Sequence, residues 1–281
     1  MNDDSLLPRA LAWAETMHGH GDDIIVAHAG SGARVTPRGP RRRAEREALE
    51  RLSCIAEASF SDGAGTRARP EEPDPFRTCF ERDRDRIVHS AAFRRLAGKT
   101  QVVVYPTDHQ RTRLTHALEV AQAATAMARG IVVNVTLTDA IALGHDCGHG
   151  PGGHASEDAF DPFIDGGYDH GPWGADVVLA GLNLTAETLD GIRNHSWSRP
   201  APSTLEGELV SWADRIAYCA HDLEDAIHAR IVDADDLPEV VVRVAGTSRR
   251  SQLSTFINAV IETTTALIPP IAVHIATSTG G

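Results

Sequence analysis

The stretch Gly144-His145-Asp146-Cys147-Gly148-His149-Gly150-Pro151-Gly152-Gly153-His154-Ala155-Ser156-Glu157 decides how this chain is read. Three histidines, an aspartate and a glutamate stand among five glycines and a proline, directly after the apolar run Ala140-Ile141-Ala142-Leu143. That pattern predicts a tight loop leaving an apolar helix, with imidazoles and carboxylates crowded together. A lone histidine on an apolar helix is ordinarily a satisfied core residue, but the density of donor groups here reverses that reading. Adjacent helical residues point about 100° apart, so His145 and Asp146 both reach one ion only at a helix end. Gly148 and Gly150 place that end where it is needed.

Working outward, apolar periodicity predicts helices over Ile87 to Leu96, Arg111 to Ala128, Thr138 to Leu143, Gly174 to Leu182, Glu187 to Asn194, Leu205 to Ile231 and Arg250 to Leu267. The run from Pro40 reads as a charged helix, and Ser61 to Pro75, rich in Gly, Pro and Glu, reads as a loop. No strand alternation and no internal repeat is present, so the expected architecture is all-α, a helical bundle with its polar site residues pointing inward. Ser203 with Glu206 reads as a capping box for the helix that carries Asp214. Thr107 or Asp108 is the expected cap of the helix that carries His116. These flanking helices supply His116 and Asp214 as the two further donors of a mixed nitrogen and oxygen ligand set. Such a set suits Mn, Fe, Co, Ni or Zn and takes Mg less readily, and spacing alone does not choose among these divalent ions.

Asp214, Tyr218, His221, Asp222 and Asp225 recur at steps of three and four on an otherwise apolar helix, the pattern of a substrate wall; the competing reading is an acidic solvent face. Two other motifs carry nothing. Ala97-Gly98-Lys99-Thr100 has Phe93 where a phosphate-binding loop needs glycine, and no strand precedes it. Cys147 has no base paired to it and reads as a small buried residue, not a nucleophile.

The formal net charge of −12 argues against a large electropositive surface for duplex nucleic acid. Basic residues nevertheless crowd the stretch Arg77, Arg82, Arg84, Arg86, Arg94, Arg95, Lys99, Arg111 and Arg113, either as a solvated helix face or as a phosphate patch. Four scattered cysteines, no CxxC pair, no signal-peptide pattern at Met1 and no apolar run near the roughly 20 residues of a membrane span lead us to expect a cytoplasmic protein without a membrane partner.

Together the ordered segments Arg82 to Ile87, Ser90 to Leu96, Lys99 to Val102, Arg111 to His116, Gly144 to Asp146, Gly153 and His154 with Glu157, Asn194 to Ser196 and Ala213 to Tyr218 closely resemble the HD-domain deoxynucleoside triphosphate triphosphohydrolases, the dGTPase-like family. The resemblance runs from about Ala44 to Ala266. It implies an HD-domain helical bundle over 44–267, with 1–43 as an N-terminal extension and 268–281 as a short divergent tail. It also implies release of inorganic triphosphate and a deoxynucleoside from a dNTP substrate, a nucleotide or single-stranded DNA effector, and a homo-oligomer.

By the same resemblance the metal positions fall on His116, His145, Asp146 and Asp214, and the catalytic histidine and acid on His154 and Glu157. His149 and His170 fall near the alpha phosphate, Arg113, Arg95 and Arg215 fall among the phosphate contacts, and Gln101, Tyr218 and Asp222 form the deoxyribose pocket. The aromatic that the family usually carries between the proline and glycine before the catalytic histidine is absent from Pro151-Gly152-Gly153. Two alternative readings stand beside this one: an HD phosphohydrolase acting on another nucleotide, and a truncated protein that binds nucleotide or single-stranded DNA without turnover.

Overall fold

A computed structural model describes residues 7–17 and 39–267. The chain divides into two units, Met1–Pro40 and Arg41–Gly281. The first contributes helix α1, Pro8–Met17. The second holds α2 (Arg43–Ser53), α3 (Cys79–His89), α4 (Ala91–Arg95), α5 (Arg113–Ile131), α6 (Val135–Gly144), α7 (His154–Phe160), α8 (His170–Trp173), α9 (Ala186–Asn194), α10 (Leu205–Ala217), α11 (Leu223–His228), α12 (Glu239–Ala245) and α13 (Arg249–Leu267). Among the described residues there is no sheet, only isolated bridges between Arg67 and Thr185 and between Thr100 and Thr112. No described helix is long and apolar enough to cross a membrane. The divergent tail at 268–281 and the greater part of the N-terminal extension lie outside the described residues.

Helices α5, α6 and α10 pack against one another at the centre of the second unit, with α3 and α9 against α6 and α13 against α5. The sequence explains the arrangement. Along α5, Ala117, Ala121, Ala123, Ala124 and Ala128 are buried, and such small side chains let neighbouring helices approach on more than one face. In α6, Leu137, Ala140, Ile141, Ala142 and Leu143 are all buried, the all-round apolar surface of a helix enclosed in a core. Phe80, Ile87, Leu96, Met127, Leu137, Ile141 and Ile192 are fully buried, and each contributes about 1.5–3 kcal/mol relative to exposure.

The helix starts differ from their expected positions. Thr204, not Ser203, caps α10 and accepts from the Gly207 amide at 3.1 Å. Ser203 donates instead to Asp190, and Glu206 turns inward to accept from the Ser59 amide and hydroxyl and from the Asn134 amide. The cap of α5 is Thr112, because residues 107–110 close their own turn and the Arg111 amide is taken by Asp225. The expected helix Ile87 to Leu96 is broken at Ser90, whose extended backbone ends α3 and whose hydroxyl caps α4. The long helix expected from Leu205 to Ile231 contains a π turn at Tyr218–Asp222, between α10 and α11.

The basic stretch resolves mainly into structural ion pairs. Arg77 pairs with Asp74 and Asp85, Arg84 with Asp139, and Arg82 and Arg86 with Glu71. Arg111 binds Glu119, Glu224 and Asp225. Of that group, only Arg113 lines the central cavity described next.

Candidate active site

A cavity of about 870 Å³ opens among α5, the loop after α6, α10, the π turn and α13. On its floor, His116 comes from α5, Asp146 from the turn that ends α6, and Asp214 from α10, with the fully buried His145 at the end of α6 beside them. His116 Nε2 lies 3.0 Å from Asp214 Oδ1, and His145 Nε2 lies 3.8 Å from the same oxygen and 3.4 Å from Asp146 Oδ1. The donor atoms of His116, His145 and Asp214 fall within 4.8 Å of one another. His145 donates from Nδ1 to the Ala142 carbonyl at 2.6 Å, so its Nε2 carries the lone pair; that buried nitrogen has no hydrogen bond. A carbonyl that fixes the tautomer and an orphaned ring nitrogen beside two carboxylates are what a divalent ion requires of a ligand set.

Charge at the floor is mutually stabilised. Burial alone would raise Asp146, but Arg113, His145 and His149 hold it well below the usual carboxylate range. Asp214 behaves likewise: burial is overcome by the His116 hydrogen bond and the nearby imidazoles, so its pKa is depressed. The Arg113 guanidinium donates to Asp146 Oδ2 at 2.8 Å in a pair buried on both sides. The turn that makes this possible depends on glycine at two places. A Cβ on Gly148 would stand 2.0 Å from the His170 carbonyl oxygen, so its absence lets α8 close on the turn. Gly153 has φ +62° and faces Arg113, where a Cβ would fall 2.4 Å from Nη2.

One wall is a set of histidines. His149 and His170 stack with centroids 3.7 Å apart and planes 13° apart, and His154 meets His149 edge-on at 4.9 Å. Glu157 accepts from the His170 backbone amide and forms a close hydrogen bond with His170 Nδ1. His170 Nε2 lies 3.0 Å from His195 Nε2, and His195 spends its Nδ1 proton on the Ile192 carbonyl. Both nitrogens of His170 therefore face acceptors. Burial would lower its pKa, yet the Glu157 bond and Asp146 raise it. Burial pushes His149 and His195 the other way, each down to about 3. Partial desolvation, Arg113 and His170 also lower His154, whose side chain is exposed to the cavity. Three imidazoles here fall within 4.8 Å, but parallel rings aim their in-plane lone pairs along parallel lines and not at one point, so the arrangement suits proton handling better than a second ion.

On the opposite wall, Gln101 Nε2 donates to Asp222 Oδ2 at 2.9 Å, while Gln101 Oε1 and Asp222 Oδ1 are buried without a hydrogen bond. Burial raises the Asp222 pKa. Tyr218 and Arg215 also line the cavity. The π turn explains why Asp222 faces the same cavity as Asp214. Eight α-helical steps would leave the two about 80° apart, and the one extra residue of a π turn brings them nearly into phase.

Some expected residues stand elsewhere. Arg95 is exposed on α4 and is not among the cavity-lining residues. Glu157 stands behind His170 instead of supporting His154. His221 and Asp225 leave the wall: both are buried, Asp225 binding Arg111 and His221 lying 3.5 Å from Glu119. Cys147 is buried, its thiol pushed up to about 12 by burial, which suits packing and not nucleophilic attack. Two lining residues, His195 and Trp197, were given no role from sequence; His195 falls in the segment Asn194 to Ser196, which stood out only as part of a larger pattern, and Trp197 lies just past it.

Comparison with known proteins places these residues in a family. The HD domain matches residues 113–219. A deoxyguanosinetriphosphate triphosphohydrolase-like protein of Caldanaerobacter subterraneus subsp. tengcongensis is 49% identical over 222 residues, covering 76% of this chain and 65% of that one. Its counterpart in Desulfatibacillum aliphaticivorans is 44% identical over 237 residues, covering 79% and 67%. A like-named protein of Deinococcus radiodurans is 41% identical over 217 residues, covering 70% and 58%. The matched part of this chain thus spans between 58% and 67% of the length of these relatives, less than two thirds of the Caldanaerobacter and Deinococcus proteins.

Proposed function

This chain belongs to the HD-domain family of deoxyguanosinetriphosphate triphosphohydrolase-like proteins, and from that premise we propose that it hydrolyses deoxynucleoside triphosphates at the alpha phosphorus, releasing a deoxynucleoside and inorganic triphosphate. The observation that carries the reading is a single cavity in which a histidine and aspartate floor faces a histidine wall on one side and the Gln101–Asp222 pair on the other. In this reading His116, His145, Asp146 and Asp214 hold a divalent ion, which supplies Lewis acidity toward a phosphoryl oxygen and eases deprotonation of water.

The protein's own groups divide the remaining work. Arg113 fixes the Asp146 carboxylate and offsets its charge. His170, with both nitrogens engaged, presents positive charge toward the phosphates and is held by Glu157 and His195. His154 is the proton carrier: unlike His170, its side chain makes no hydrogen bond among the described residues, and it is exposed to the cavity. A phosphate beside it raises its affinity for a proton, which it then gives to the departing 5′ oxygen.

Asp222 Oδ1 and Gln101 Oε1 are buried acceptors, one of which a sugar 3′ hydroxyl would satisfy. Tyr218, one turn beyond Asp214, closes the space beside the 2′ carbon. The test is to incubate the purified chain with each dNTP and its ribonucleotide counterpart, in Mn or Mg, and to quantify nucleoside release. Release from dNTPs well above that from NTPs is the expected result. Equal turnover of the two sets would remove the sugar pocket, and no turnover of any dNTP would remove the assignment.

A further inference from the structure

The cavity is lined by two arginines, and they are not equivalent. Arg113 is spent on Asp146, in a pair whose side chains are each about 3% exposed. Arg215 makes no hydrogen bond or ion pair among the described residues; its contacts are with aromatic rings. Its Cζ lies 4.3 Å from the centroid of Trp197 and 5.5 Å from that of Tyr218, within the reach of cation–π attraction. A guanidinium that meets a ring by its face keeps its in-plane N–H edge free, the edge that forks onto phosphate oxygens.

The Trp197 ring is itself fixed. It sits in the segment after α9, its indole N–H donates to the Ser211 carbonyl at 3.1 Å, and Trp212 packs edge-on against it at 5.0 Å. Ser211 and Trp212 belong to α10, one turn before Arg215, so the indole is pinned to the helix whose arginine it orients. Asp146, Asp214 and Asp222 line the cavity, and the Arg113 charge is already balanced. Beside the divalent ion and His170, Arg215 is a further cation lining the cavity, and the family resemblance already sets it among the phosphate contacts; what holds it there is the open question.

We propose that Trp197 is a positioning residue that holds Arg215 edge-on toward the oligophosphate moiety of the ligand, so that Trp197 and Arg215 act as one phosphate clamp. The proposal rests on the nucleotide triphosphate reading above, and it is tested without turnover. The probe is inorganic tripolyphosphate, titrated calorimetrically into the full chain at fixed Mn concentration, with melting temperature as a check on folding.

Arg215→Gln should weaken tripolyphosphate binding by about tenfold or more, the scale of a lost charge-assisted hydrogen bond. Trp197→Leu should weaken it by roughly three- to tenfold, and Trp197→Phe, which keeps a ring, should stay within about twofold of the wild type. In the Arg215→Gln background, Trp197→Leu should add less than about twofold, because the residue acts through the arginine. Equal losses from Trp197→Leu in both backgrounds would overturn the clamp. So would unchanged tripolyphosphate affinity in Arg215→Gln, including the case where that variant alters the ranking of the four bases and so assigns Arg215 to the nucleobase. A wild type that binds tripolyphosphate in this Trp197-dependent way yet turns over no dNTP rejects the hydrolase reading and leaves the clamp standing.

Discussion

His116, His145, Asp146 and Asp214 meet through contacts that span the fold, and each variant at this site has a distinct expected outcome. Asp146→Ala and His116→Ala should lose the divalent ion on elemental analysis, whereas His154→Ala should keep it while activity falls by roughly 100-fold; full metal retention by both of the first two would remove the ligand assignment. Acid stability gives an independent reading of the histidine network. His149 and His195 are pushed down to about 3 and His221 to about 4, chiefly by burial. The unfolded chain takes up a proton at each near pH 6.5 and the native chain does not, so protonation favours unfolding from there downward. The raised His116 and His170 contribute stability that is fully present below 6.5 and lost as pH rises through their folded values, and the depressed Glu157, at about 2, matters only below about 4.5. Urea unfolding in chelator should therefore show stability falling between pH 6.5 and 4.5 by up to about 4 kcal/mol per pH unit for three such histidines; a flat profile there would contradict the buried neutral assignment. His145 and Asp146 stood out in the sequence because mixed donors in a glycine-rich turn have few other uses, and the structure brings His116 of α5 and Asp214 of α10 beside them. The pairing of Glu157 was not, since its spacing from His154 suggests a local contact while the carboxylate reaches forward to His170 across 13 positions. His195 was invisible as a site residue because a lone buried histidine carries no pattern.

Among the elements, the central helices were legible from their apolar periodicity, and the errors lie at their ends and at one interior point. Thr204 and Ser203 are equally good caps by type, and what separates them is the tertiary demand on Ser203 from Asp190 and on Glu206 from Ser59 and Asn134. The π turn at Tyr218–Asp222 is equally silent in sequence, because its residues fit an uninterrupted helix. It makes a sharp functional prediction: Asp222→Asn should reduce the preference for a 3′ hydroxyl over a 3′ deoxy analogue by roughly tenfold, with metal content unchanged. Unaltered discrimination would leave the Gln101–Asp222 pair a purely structural contact. A second element-scale prediction concerns Asp83 on α3, which is fully buried and binds Arg67, the Thr185 amide and hydroxyl, and the Thr188 hydroxyl. Asp83→Ala leaves the Arg67 guanidinium, only 1% exposed at its side chain, with Glu71 as its remaining carboxylate and unpairs the buried Thr185 amide, and should cost about 3–5 kcal/mol of stability. A loss under about 1 kcal/mol by denaturant titration would mean that the loop at 61–75 relaxes and rehydrates Arg67.

At the scale of the molecule, helices α5, α6 and α10 build both the core and the floor of the cavity, so the buried alanine-rich packing that lets them approach also sets the spacing of the ligands. Fold and family were legible together, since the helical periodicity and the donor-rich turn agree on one architecture. The basic stretch was the misleading global signal: Arg77, Arg82, Arg84, Arg86 and Arg111 are taken up in ion pairs, and phosphate recognition is left to few cations. The central claim is hydrolysis at the alpha phosphorus of a dNTP, and the most direct measurement is a single turnover in ¹⁸O-labelled water with the phosphorus products resolved by mass. The account predicts inorganic triphosphate as the primary product, carrying one label, with an unlabelled deoxynucleoside. Pyrophosphate or orthophosphate as the primary product, or label in the deoxynucleoside, would contradict it.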